Sequence, residues 1–137
     1  SSVWSDDFPL ANNTINNGAG AIAQDAIVFK MTGDLSSLVW ATYLGGTGYE
    51  AGYSIRYSAS NNNVYTCGGT TSNDLGVTAG VIEPNFNGGW DGYIAAFNAT
   101  TGASSYRTYV GEASSTGGYD QTFIVEVDAS GDVYTVG

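Results

Sequence analysis

The sequence predicts an all-β protein made of repeated four-stranded antiparallel sheets, and three observations predict it. The first is an internal repeat. Asp25-Ala-Ile-Val-Phe29, Trp40 to Gly45, Ile55 and Val64 to Gly68 recur in the same order as Asp91 to Ala95, Tyr106 to Gly111, Ile124 and Val133 to Gly137, at spacings of 66 to 69 residues. A fixed period of this length marks one supersecondary unit stacked on copies of itself. Second, the apolar residues alternate or run in short blocks bounded by Gly, Asn, Asp and Ser, with no capped helical period. Third, in Leu38-Val-Trp-Ala-Thr-Tyr-Leu44 both faces of the alternation are largely apolar, which suits a sheet sandwiched between neighbouring sheets.

One complete period holds four expected strands. A first strand covers Tyr53 to Ser58 and a second Asn63 to Cys67, joined by Ala59-Ser-Asn-Asn-Asn63, whose residues tolerate the positive φ of a tight hairpin. A long loop from Gly68 to Gly89 leads to a third strand, Asp91 to Asn98, and a fourth, Ser105 to Val110. Asp128-Ala-Ser-Gly-Asp132 repeats the hairpin turn. Counting positions places a three-residue insertion in Glu112 to Gly118, because Tyr43 and Tyr109 are 66 apart whereas Ile55 and Ile124 are 69 apart. The segment Asp6 to Leu10 precedes its likeness at Asn73 to Val77 by about the same period. Residues 1–50 thus read as the second half of one unit, 51–111 as a whole unit and 112–137 as the first half of another. A segment that starts and stops within units is expected to be part of something larger, either a longer chain or an assembly of copies.

Composition narrows the function classes. Thirteen acids stand against three bases, giving a net charge of −10. Phosphate binding needs clustered Lys and Arg, so nucleic acid is not an expected partner, and an anionic membrane surface is disfavoured on the same ground. No run of 18 apolar residues predicts insertion into a membrane. Few charges and many Gly, Ser, Thr, Asn and Tyr suggest a secreted or surface-displayed protein. The single cysteine, Cys67, excludes an intrachain disulfide and reads as a small buried hydrophobe.

Asp25-Ala-Ile-Val-Phe-Lys30, Thr42-Tyr-Leu-Gly-Gly-Thr-Gly48, Gly52-Tyr-Ser-Ile55, Ser5-Asp-Asp-Phe-Pro9 and Val127-Asp-Ala-Ser-Gly-Asp-Val-Tyr-Thr-Val-Gly137 together resemble the bacterial β-propeller repeats of the seven-bladed (SBBP) type, found in large secreted and cell-surface proteins. The chain departs from that pattern at Asn61-Asn-Asn63 and at Glu112-Ala-Ser. The resemblance implies propeller blades of four antiparallel strands, about two blades' worth, and no defined catalytic residues.

A few residues could carry chemistry. Trp4, Trp90, Tyr49 and Tyr119 lie in or beside Gly-rich connections, where aromatic faces could stack on sugar rings; the competing role is to wedge between blades. Asp128 and Asp132, with the connections around Glu50 and Asp120, could offer oxygen ligands to Ca²⁺, although the spacing lacks the acids of an EF-hand loop and a plain hairpin turn is the simpler reading. No other cofactor is expected. Asp25 and Asp91 hold equivalent positions at strand starts and are expected to cap loop amides. Without histidine, Ser/His and Cys/His catalysis is excluded within the chain, and no carboxylate pair stands out for glycoside hydrolysis, so an enzyme is not expected. Asn12-Asn-Thr14 and Asn98-Ala-Thr100 match glycosylation sequons, which arise easily in so Asn- and Thr-rich a chain. The expected function is that of a scaffold or adhesin-like interaction module, with a carbohydrate-binding module as the alternative and a hydrolase fragment as a minor one. Its expected partners are further blades of a longer chain or copies of itself, and a glycan or protein ligand.

Overall fold

The computed structural model describes residues 2–3, 24–112 and 118–137. Nine strands are present among them: β1 (Ser2–Val3), β2 (Asp25–Met31), β3 (Leu38–Leu44), β4 (Glu50–Ser58), β5 (Asn63–Thr70), β6 (Asp91–Asn98), β7 (Ser104–Val110), β8 (Ile124–Val127) and β9 (Val133–Val136). They form three antiparallel sheets in chain order, β1-β2-β3, β4-β5-β6-β7 and β8-β9. The strands fall where the two-residue alternation places them. β4 and β5 are longer than expected at the ends where they meet, since Ala51 pairs with Gly69 and Glu50 with Thr70, two rungs beyond Gly52 and Gly68.

The middle sheet is buried on both faces. On one face Val64, Tyr93, Ala95, Phe97 and Tyr109 pack with Ala26, Val28, Trp40 and Leu44 of the first sheet and with Leu75 of the long loop. On the other, Tyr65, Cys67, Ile94 and Ala96 pack with Val125 and Val127 of the third. Each fully buried large side chain stabilises the stack by about 1.5–3 kcal/mol. The polar tips of the buried aromatics are satisfied: Trp40 Nε1 donates to the Ala99 carbonyl at 3.1 Å, Tyr93 Oη to that of Ala51 at 3.1 Å and Tyr109 Oη to that of Ser72 at 2.9 Å. Such pairing removes the cost of burying a donor.

The long loop between β5 and β6 covers the outer edge of β7. Thr78 N donates to the Arg107 carbonyl, Arg107 N to Thr78 Oγ1, and Tyr109 N to the Glu83 carbonyl. An edge strand sheathed in this way presents few open backbone groups to another chain.

Pairing register corrects one detail of the repeat. Ile55 lies opposite Thr66 and Val125 opposite Thr135, so Ile55 is equivalent to Val125 and not to Ile124. The hairpin between Val127 and Val133, closed by the Asp128 N to Asp132 O bond, has one residue fewer than its counterpart between Tyr57 and Val64, and the longer insertion between sheets offsets it. Gly131, at φ 93°, makes the shorter turn, and Asn62, at φ 53°, the longer one. With the register set this way, equivalent residues of successive sheets touch. Tyr53 stacks on Phe123 with ring centroids 5.4 Å apart, and Arg56 holds Glu126 in a two-pronged ion pair through Nε and Nη2.

Candidate functional site

The most distinctive chemistry lies in the connections that carry the chain from one sheet to the next. After β3 the chain turns through Gly45 and Gly46 and returns beside the start of β2, where Glu50 N donates to the Gln24 carbonyl at 2.5 Å. After β7 the same path recurs: Asp120 N donates to the Trp90 carbonyl at 2.7 Å, and Trp90 N to that of Gly118 at 3.0 Å. Gln24 and Trp90 immediately precede the equivalent Asp25 and Asp91. Each connection thereby sets two carboxyl groups side by side, Asp25 with Glu50 and Asp91 with Asp120, flanking Gly45 and Gly111 respectively. A side chain at 45 would collide with the Asp25 carboxyl and lie 2.8 Å from Glu50 Oε2, so only glycine fits there.

Glu50 is fully buried and well supplied with donors: Thr70 Oγ1 at 2.5 Å, Ser72 Oγ at 2.6 Å and Gly46 N at 3.0 Å. Asp25, also buried, has no partner for its Oδ1. Burial, the negative charge of Glu50 and a hydrogen bond to it push the Asp25 carboxyl up to about 7. Two carboxyl groups out of water cannot both ionise cheaply, so Asp25 keeps its proton well above the ordinary carboxylate range. Asp91 follows the same pattern. Burial raises it chiefly, aided by the charges of Asp120 and Glu83 and opposed by the Asn87 amide, which donates to Oδ2 at 2.7 Å. Both face a second acid, and Asp91 in addition caps a loop amide.

The aromatic candidates occupy different environments. Trp4 lies outside the described residues, as do Asp6 to Leu10, the Asn12 sequon and part of the insertion. Tyr49 and Tyr119 are exposed and equivalent, each preceding the acid of its connection. Trp90 is half-buried and is joined to the Tyr119 segment by the backbone bonds given above. A groove of about 780 Å³ beside Tyr119 is lined by Glu112, Asp120, Gln121 and Phe123.

Asp128 turns its carboxylate into its own hairpin. Oδ1 accepts from Ser130 N at 2.8 Å and Asp132 N at 3.0 Å, and Oδ2 from Tyr134 Oη at 3.2 Å, bonds that hold the group below the usual carboxylate range. Among the described residues no three Asp, Glu, Cys or His groups converge as a metal site would require. Asn98 Oδ1 accepts from the amides of Thr100 and Thr101, closing the β6–β7 turn. Cys67 is buried, and burial raises its thiol.

Sequence reasoning treated Glu50 and Asp120 as possible Ca²⁺ ligands and missed that each faces an acid some 25 to 29 residues earlier. Matching Tyr49-Glu50 to Tyr119-Asp120, rather than counting back from Ile124, would have revealed both pairs.

No protein-family model matches the chain, and no curated protein matches it either.

Proposed function

We propose that the chain is a non-catalytic scaffold or adhesin-like β-propeller module of a secreted or surface-displayed bacterial protein. The observation that carries this reading is the meeting of equivalent residues, Tyr53 with Phe123 and Arg56 with Glu126, on the first strands of successive sheets. Repeated blades packed around an axis bring like positions together in this way. The resemblance to the SBBP-type repeats supports it further. The buried carboxyl pairs then act as fasteners for the connections: they recur at equivalent places, whereas catalysis calls for one asymmetric, accessible pair.

A second reading, a carbohydrate-binding module, is favoured by the backbone pairing of half-buried Trp90 with exposed Tyr119, which lines a groove with polar groups. A glycan array probed with the chain and with its Trp90→Ala and Tyr119→Ala variants separates the two. The scaffold reading expects no selective signal and no difference among the three proteins. Selective binding that either substitution abolishes would replace it with the carbohydrate-binding one.

A further inference from the structure

The two spaces between consecutive sheets are built alike but filled differently. Between the second and third sheets, β5 lies over β8, and Tyr65 (7% exposed) and Cys67 (0%) cover Val125 (0%). The equivalent space between the first and second sheets is an open groove of about 420 Å³, lined by Phe29 and Lys30 of β2, Trp40 of β3, Ile55 and Tyr57 of β4, and Val64. Ile55, the counterpart of Val125, is 51% exposed there. Nothing in the described first sheet stands where β5 stands in the second, because β1 matches only the last rungs of β5: Val3 pairs with Asp25 as Thr70 pairs with Asp91.

At the other end of the molecule is a strand of the matching kind. β9, Val133-Tyr-Thr-Val136, is the counterpart of β5, yet Tyr134 and Val136 are 58% and 57% exposed where Tyr65 and Cys67 are buried. We infer that the groove binds the β8–β9 hairpin of a second copy of this chain, with β9 laid antiparallel along β2. This rests on the reading of stacked sheets above. The register follows from the filled counterpart, in which Tyr65 faces Ala96 and Cys67 faces Ile94. Transferred by the repeat, it sets Tyr134 opposite Lys30 and Val136 opposite Val28, with both side chains over Ile55 and Tyr57. Charge agrees with the fit. Lys30, whose ammonium donates to the Ala99 carbonyl at 3.0 Å, would receive an aromatic face and a hairpin turn carrying Asp128 and Asp132. The contact is head-to-tail, so it propagates and closes into a ring when the rotation permits. About two to four copies would bring the sheets to the four to eight of known propellers.

The test is solution mass by light scattering across a wide range of protein concentrations. The 137-residue chain is expected at about two to four times its 14.2 kDa. Val136→Asp, which spoils the hairpin, and Ile55→Asp, which spoils the groove, should each run as single chains, with circular dichroism reporting the fold; Tyr57→Glu serves as the groove variant if Ile55→Asp misfolds. An equimolar mixture of hairpin and groove variants retains one good hairpin and one good groove, and should form a one-to-one dimer. A wild-type chain that stays single would assign the groove to another occupant and overturn the inference, while leaving the stacked-sheet reading intact. Self-association that survives both substitutions, or a mixture that fails to pair, would overturn it equally.

Discussion

The junction between the second and third sheets is closed, and that between the first and second is open along part of its length. The difference lies in which strand is present, not in the wall residues. Ile55 and Val125 are both β-branched, sit at the same rung and point towards the preceding sheet; only the second has Tyr65 and Cys67 above it. Burial in a repeat protein is thus a property of the neighbour as much as of the residue. Ile55 and Tyr57, exposed in the open groove, are the surface that the proposed hairpin would cover.

The largest expected effect tests that asymmetry directly. Val125→Asp places an unpaired charge in the closed junction and should cost about 3–5 kcal/mol. Ile55→Asp at the equivalent open site should cost under about 1 kcal/mol. Urea unfolding of both variants in dilute solution measures the pair, and equal losses would mean that the two junctions do not differ in the single chain.

Acidity gives the next effect. Asp25 releases its proton near pH 7 in the folded chain and near its ordinary 3.8 when unfolded. Between those values the folded state holds more protons, so stability falls as pH rises from about 4 to 7, by on the order of 4 kcal/mol at most. Asp25→Asn should flatten this slope, as followed by urea midpoints at several pH values. Asp91→Asn should flatten it less, since the Asn87 amide already compensates the Asp91 charge. A slope unchanged in Asp25→Asn would remove the proton from the first connection.

The smallest effect compares Cys67 with its counterpart. Cys67→Ser exchanges a buried apolar atom for a hydroxyl and should cost about 1–2 kcal/mol, whereas Val136→Ser on exposed β9 should stay within about 0.5 kcal/mol. Thiol labelling sharpens the contrast: native Cys67 should react only as fast as the sheets open.

Much of the architecture was legible in the sequence because period-two alternation and Gly/Asn/Asp turns are local signals. Leu38–Leu44 and Asp91–Asn98 are observed with the bounds the pattern predicts. The connections were not legible, because the partners of Glu50 and Asp120 are distant in sequence and neither acid is unusual in a loop. Compensating length changes also hid the equivalence: the insertion before β8 and the shorter hairpin after it leave Val64 and Val133 at a plausible spacing while shifting Ile55 by one. Of the aromatic candidates, Tyr49 and Tyr119 were singled out for the Gly-rich context, and the structure adds that they are repeats of one position.

The contact between Arg56 and Glu126 bears on how such a chain can arise by duplication. Freshly duplicated units would carry the same residue at this position and so set Arg against Arg or Glu against Glu, with repulsion in place of the present pair. Opposite charges at this position, as in Arg56 and Glu126, turn that repulsion into an attraction. With them in place, each unit distinguishes its proper neighbour from a copy of itself, and the order of units is written into the charges where they touch.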